Sequence, residues 1–138
     1  MIAIVLVLLF SLVAPLPLLI IEKFSPYPFI IEEILNLIFV LILLDAQKKT
    51  KISALPTVVL AGLLFTISES IFYLINIFAV SQNVLTVFLQ RVFLTGVLHT
   101  GTILIIFFFA RKKRKWWMVG FIIAVLIHFL FNYLMLML

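Results

Sequence analysis

Long apolar runs, separated by short polar stretches, limit what this chain can fold into more than any other feature of its sequence. Of its 138 residues, 67% are hydrophobic and 11% are charged, whereas a soluble domain carries about 45–50% apolar and about 25% charged residues. No aqueous fold of this length could hide so much apolar surface. We therefore expect an all-α polytopic membrane protein that forms a single transmembrane domain.

About five spans are predicted, because roughly 20 apolar residues in helical form cross the hydrocarbon core. The first run lacks the basic start and the small-residue cleavage site of a signal peptide, so we expect a retained helix, kinked by Pro15 and Pro17. Pro56 is placed to open the third span, and Ser81-Gln82-Asn83 predicts a helical hairpin between the third and fourth. The predicted spans are residues 1–21, 29–44, 57–80, 84–110 and 116–138.

The net charge of +5 comes mainly from two short basic clusters between apolar runs. The predicted loop 45–56 holds Lys48, Lys49 and Lys51, and the second loop is the run from Arg111 to Lys115. Such clusters are typical of cytoplasmic loops and do not indicate nucleic-acid binding. Because the loops follow the second and fourth spans, the N-terminus is predicted inside and the C-terminus outside. The absence of cysteine excludes disulfides, thiolate metal sites and a cysteine nucleophile.

Ionisable residues inside the apolar runs are the strongest indication of function. Glu32 and Glu33 begin the second span, and Glu69, His99 and His128 lie within the next three. A charge in hydrocarbon costs a few kcal/mol or more, so such residues are rare and usually functional. Counting the helical rise from the predicted cytoplasmic ends puts four of them at roughly the same depth, about 17–20 Å. Four of the helices are therefore predicted to form a core around one buried polar site.

Other polar residues share helical faces with these ionisable groups. A lone polar residue in a membrane helix more often joins helices than performs chemistry, and Gly62, Thr66 and Ser70 are expected to let helices approach closely. Arg91 is expected either to snorkel to the membrane surface or to pair with Glu32. The predicted stripes are Glu69, Tyr73 and Asn76; Arg91, Thr95, His99 and Thr102; His128 and Asn132; with Asn36 one turn from the double glutamate.

A glutamate and a histidine in such a pocket can activate a water molecule for attack on an amide carbonyl, since low dielectric makes a carboxylate a better base. A remaining histidine or asparagine could stabilise the oxyanion. The same groups suit a divalent metal such as zinc, which lowers the pKa of its bound water to about 7. His99, His128 and Glu69 are the candidate ligands. The residues leave both chemistries open and exclude only the zincin helix, because no His-Glu-x-x-His occurs.

Four motifs, one for each predicted core helix, occur in a recognisable order over about residues 29–133. These are Glu32-Glu33, Glu69 with Tyr73, Arg91 with His99, and His128-x-x-x-Asn132. The set resembles the PrsW family of membrane proteases, which belongs with the CAAX prenyl endopeptidases. Two positions depart from the pattern: Asn36 stands where PrsW-type sequences usually have lysine, and Leu37 where the CAAX branch has arginine. The chain also lacks the additional helices of most relatives.

The resemblance implies a role for each residue of these motifs. Glu32 and Glu33 would be the activating carboxylates, Glu69 and His99 would shape or share that role, and His128 and Asn132 would bind metal or stabilise the oxyanion. Apart from the resemblance, we expect Tyr73, Arg91 and Asn36 to support the site or the substrate. The location implied is a prokaryotic plasma membrane.

The function predicted on these grounds is an intramembrane endopeptidase that hydrolyses a peptide bond of a membrane-embedded or membrane-anchored substrate. Two alternatives remain. One is a non-catalytic scaffold subunit of the same superfamily, and the other is a small proton- or metal-coupled transporter. The expected partners are the lipid bilayer, a membrane protein or peptide as substrate, and either further copies of the chain or a larger membrane protein.

Overall fold

The computed structural model describes residues 2–50 and 53–137, and these are helical apart from short connections. No strand occurs in these two ranges, so the predicted all-α fold is confirmed. Lys51, from the first basic cluster, lies outside the described residues. The helices are α1 (Ile2–Val13), α2 (Pro15–Glu22), α3 (Pro28–Thr50), α4 (Leu55–Val80), α5 (Val84–Lys112) and α6 (Trp117–Met137), with a 3-10 turn, Arg114–Trp116, before α6.

Three helices, α4, α5 and α6, are each long and apolar enough to cross a bilayer. The pair α1 and α2 qualifies jointly but is bent by 46°, at the predicted kink before Pro15, where proline has no N–H to donate. Helix α3, with 23 residues, is long enough to cross a bilayer. The charged residues Glu32, Glu33 and Asp45 make it too polar to count as a candidate span by composition alone. The structure therefore supports three or four spans, and the predicted fifth stays a prediction.

Helix boundaries differ from the predicted ones mainly at the basic clusters. Helix α3 continues to Thr50, so residues 45–50 are helical and not loop, and Lys49 pairs with Asp45 one turn earlier at 2.7 Å. Lysine in a last helical turn complements the negative end of the helix dipole, which explains the extension. The predicted hairpin is confirmed, since α4 ends at Val80 and α5 begins at Val84. Asn83 occupies the N-cap position of α5, and its side chain makes no capping hydrogen bond to the described residues.

Two glycines set how closely the helices of the bundle approach. A Cβ atom added to Gly62 of α4 would lie 2.9 Å from Thr100 Cα of α5, so only glycine permits this crossing. A Cβ added to Gly120 of α6 would lie 2.8 Å from Phe109 Cβ of α5. The close approach predicted at Gly62 is therefore confirmed, and α5 is the central helix, in contact with α3, α4 and α6.

The main apolar core fills the half of the bundle next to the basic clusters. Its side chains come from five helices and include Val40, Val58, Ile106 and Phe107, none of which is exposed. The predicted polar residues lie further from the basic clusters on the same helices: Glu32 precedes this core on α3, and His99 precedes it on α5. Its members include Val7, Phe39, Val40, Leu43, Val58, Ala61, Ile103, Ile106, Phe107 and Ala124.

Candidate active site

The side chains of Glu33 on α3 and His128 on α6 are buried and bonded to each other. Oε1 of Glu33 lies 2.8 Å from Nδ1 of His128, and its other oxygen accepts a hydrogen bond from Nδ2 of Asn36 at 3.1 Å. Both oxygens of Glu33 are thus engaged. The bond to Nδ1 fixes the imidazole of His128 so that its remaining nitrogen, Nε2, points away from Glu33.

A second carboxylate, that of Glu69 on α4, holds the imidazole of His99 on α5. Oε2 of Glu69 lies 2.7 Å from Nε2 of His99, and Oε1 accepts a hydrogen bond from Nη2 of Arg91 at 2.8 Å. The guanidinium of Arg91 lies over the ring of Tyr73, 3.7 Å from its centroid. Arg91 therefore pairs with Glu69, a partner that the sequence analysis did not predict for it.

Glu32 lies between the two imidazoles. Its Oε2 is 3.7 Å from Nε2 of His128 and 4.0 Å from Nδ1 of His99, and the two rings are 5.4 Å apart, centre to centre. All three side chains are buried, and their ligand-type atoms lie within 4.8 Å of one another. Within residues 2–50 and 53–137, Nδ1 of His99 has no hydrogen-bond partner, although a buried polar atom normally has one.

The donor set formed by Glu32, His99 and His128 fits a divalent metal. Two imidazole nitrogens and one carboxylate oxygen are ligands that zinc accepts, and three protein ligands leave a position open for water. Each imidazole directs its other nitrogen to a carboxylate, Glu33 or Glu69, which is the usual second layer around metal-bound histidine. A metal would also give Nδ1 of His99 the partner that it lacks. The structure therefore favours Glu32 over the predicted Glu69 as the third ligand.

The three ligand-type residues line a cavity of about 530 Å³ between α3, α4, α5 and α6. Asn132 also lines it and forms no hydrogen bond with the described part of the chain. Glu33 and Asn36 are buried and do not line the cavity. Asn76, which was predicted on the same stripe as Glu69, is exposed and lies outside the cavity. The other lining residues are Pro28, Glu69, Tyr73, Ile77, Val87, Gln90, Arg91, Leu94, Thr95, Leu98, Phe131 and Met135.

Sequence reasoning missed Gln90, whose side chain lines the cavity beside Arg91. Its position, four and eight residues before Leu94 and Leu98, puts it on the same face of α5 as these lining residues. The sequence offered two signals for Gln90: this spacing, and a polar side chain in a span that is otherwise largely apolar.

Comparison with protein families matches residues 23–138 to the model described as PrsW family intramembrane metalloprotease. The chain belongs to this family. The match begins directly after α2 and covers all the candidate site residues, although it corresponds to only part of the family's domain. Comparisons with curated proteins and with solved structures give no match. Membership of the PrsW family, together with the apolar helices, identifies the chain as an integral membrane protein.

Proposed function

We propose that this PrsW family member hydrolyses a peptide bond of a membrane-embedded or membrane-anchored substrate inside the cavity between α3, α4, α5 and α6. One observation carries the proposal: imidazoles from α5 and α6 and a carboxylate from α3 converge, and each imidazole is backed by its own carboxylate, Glu69 or Glu33. Ionisable groups in a membrane interior are costly, so an arrangement that gathers five of them favours chemistry over structure.

In this proposal Glu32, His99 and His128 hold a divalent metal such as zinc. When bound, the metal supplies an acidified water molecule as nucleophile and polarises the carbonyl that is attacked. Glu33 and Glu69 then act as positioning residues, because each fixes one imidazole through its second nitrogen. Asn36 extends the same arrangement by holding Glu33.

Glu69 is also our candidate for the proton transfers. Unlike Glu33, it lines the cavity, and its carboxylate is held from two sides by Arg91 and His99. A carboxylate so placed can take a proton from the attacking water and later deliver it to the leaving amine, a contribution of about 10²–10⁴-fold in rate. Tyr73, stacked against the guanidinium of Arg91, would keep this pair in place.

The remaining lining residues suit the other needs of peptide hydrolysis. The side-chain amide of Asn132 can donate hydrogen bonds to the oxyanion of the tetrahedral intermediate. Apolar side chains of α4, α5 and α6 make up much of the wall and would accept an apolar stretch of substrate. They are Ile77, Val87, Leu94, Leu98, Phe131 and Met135.

We further propose the orientation in a prokaryotic plasma membrane that the charge pattern predicts. The basic residues at the ends of α3 and α5 would face the cytoplasm with the N-terminus, and the C-terminus would lie outside. The chain would act as one transmembrane domain with its catalytic core in residues 29–133.

The experiment is a cleavage assay in proteoliposomes with synthetic single-span peptides, each an apolar segment of about 20 residues flanked by polar ends. Products are identified by mass spectrometry. Cleavage within or next to the apolar segment is expected, with loss of cleavage in His128→Gln and in Glu69→Gln. Asn76→Ala is the matched control, because Asn76 is a polar residue of α4 outside the cavity, and it should cleave normally. Equal cleavage by all four proteins would contradict the proposal.

A further inference from the structure

A second cavity, of about 650 Å³, lies between the C-terminal ends of α3 and α5, away from the candidate active site. We call it the basic pocket. Its volume falls within the range of about 300–1,000 Å³ found for small-molecule sites. It is lined by Leu41, Leu44, Asp45, Gln47 and Lys48 of α3, and by Ala110, Arg111, Lys112 and Lys113 at the end of α5.

The charges around the basic pocket are mainly positive, four basic side chains against one acidic side chain. Asp45 is the one acidic residue on its wall and is already paired with Lys49 at 2.7 Å. Lys48, Arg111 and Lys112, like Lys113, form no ion pair within the described ranges of the chain. Four cations around one cavity repel each other, and an anion between them would relieve that repulsion.

The wall of the basic pocket is apolar on its other side. Leu41, Leu44 and Ala110 belong to the stretches of α3 and α5 that continue into the bundle. The amide oxygen of Gln47 is buried there without a hydrogen-bond partner in the described part of the chain. Because the oxygen and nitrogen of a glutamine amide exchange places on a half-turn, the side chain can equally present its N–H groups to a ligand.

The position of the basic pocket along the bundle agrees with the level of lipid headgroups. The ammonium of Lys112 lies over the ring of Trp116, 5.8 Å from its centroid, and tryptophan concentrates where a membrane meets water. A ligand that satisfies both walls needs an anionic head and an apolar tail. We propose that the basic pocket binds one anionic phospholipid, with the phosphate among the basic side chains and the glycerol and upper acyl chains along Leu41 and Leu44.

The experiment uses the full chain in detergent with equal amounts of phosphatidylglycerol and phosphatidylcholine, and native mass spectrometry counts the lipids retained. One phosphatidylglycerol per chain is expected, with little phosphatidylcholine. Lys48→Gln/Lys112→Gln should weaken phosphatidylglycerol binding about 20- to 30-fold, since each basic residue near an anionic lipid contributes roughly 5-fold. The matched control is Lys23→Gln/Lys115→Gln, which removes the same charge outside the pocket and should change binding less than about 2-fold.

Three results would overturn the proposal. Equal losses in the two double variants would mean diffuse surface charge, and equal retention of both lipids would mean an unselective surface. Displacement of the lipid by millimolar inorganic phosphate would mean a phosphate site without a lipid tail. Gln47→Leu provides a second test if the charge variants fold poorly, because it leaves the net charge unchanged. If the pocket binds the lipid specifically, this variant should still lower phosphatidylglycerol binding several-fold.

Discussion

The polar and apolar halves of the bundle are made from the same helices, yet they are built in opposite ways. Helix α3 carries Glu32 and Glu33 and then Val40 of the apolar core, and α5 carries His99 and then Phe107. The core side chains of the apolar half are almost fully buried against one another, and the basic pocket lies at the end of that half. In the polar half a cavity of about 530 Å³ stays open beside buried ionisable groups.

This difference shows how a short membrane chain can keep an open polar site. Lipid tails are as apolar as the core side chains, so helix association depends on close contact and van der Waals packing. Gly62 and Gly120 provide that contact where α4 and α6 cross α5. The packed apolar half fixes the distances between the helices. Because the same helices continue into the polar half, these distances also hold around the cavity. Substitutions in the two halves should therefore separate chemistry from stability.

The largest effect is expected from Glu32→Gln in the polar half. The change removes the carboxylate that faces both imidazoles but leaves their bonds to Glu33 and Glu69 intact. Cleavage should fall by more than about 100-fold, because loss of a metal ligand should cost more than the roughly 10- to 100-fold lost with a second-layer partner. Thermal unfolding in detergent should hardly change. A variant that cleaves at a tenth of the normal rate or better would place the chemistry elsewhere.

Gly120→Leu in the apolar half should have the opposite effect: stability should fall, whereas cleavage by the folded protein should be nearly normal. Any Cβ at this position meets Phe109 Cβ at 2.8 Å and Ile106 Cα at 3.1 Å, so α6 must move away from α5. Overpacking of this kind costs about 1–3 kcal/mol. Unfolding by detergent titration should show that loss, and cleavage per folded molecule should stay within a few-fold of normal. Unchanged stability would mean that the two helices do not cross as described.

Helix α3 shows which structural features could be predicted from the sequence and which could not. The helix, its approximate start and the burial of its polar residues follow from the apolar pattern and from depth counting. Depth gives the height of a residue but not its rotation: adjacent residues differ by about 100° around the axis. Sequence reasoning could not tell that Glu32 faces the two imidazoles whereas Glu33 turns to Nδ1 of His128. The partners of Glu69 and Arg91 were undetermined for the same reason.

The end of α3 was mispredicted for a different physical reason. Residues 45–50 include charged and polar side chains, which suggested a loop after the predicted span. Backbone hydrogen bonding does not require apolar side chains once the helix leaves the hydrocarbon, so α3 continues to Thr50. The basic pocket depends on that extra length, because Gln47 and Lys48 belong to it.

A smaller effect is expected for Glu33→Gln, which alters the support of the site and not its proposed ligands. The imidazole of His128 would lose its charged partner at Nδ1, although an amide oxygen can still accept a hydrogen bond there. Loss of such second-layer partners typically lowers metal affinity or activity about 10- to 100-fold. Competition with a fluorescent zinc chelator measures the affinity. A loss as large as that of Glu32→Gln would show that Glu33 binds the metal itself.

The smallest effect is expected at the contact between α4 and α1, the helix that lies before the family-matched region. Oγ of Ser68 donates a hydrogen bond to the backbone oxygen of Leu12 at 2.6 Å. Hydrogen bonds between membrane helices contribute about 0.6 kcal/mol on average, so Ser68→Ala should lower the free energy of unfolding by about that amount. Cleavage should be unaffected. A loss of cleavage would mean that α1 helps to shape the active site.

Metal dependence of cleavage tests the central claim most directly. Protein in proteoliposomes is treated with a chelator, its metal content is measured, and one equivalent of zinc is then returned. The account predicts that cleavage disappears with the metal and recovers with zinc in the unmodified chain and in Asn76→Ala, but does not recover in Glu32→Gln or His128→Gln. Full cleavage by protein shown to be free of metal would contradict the assignment of Glu32, His99 and His128 as a metal site.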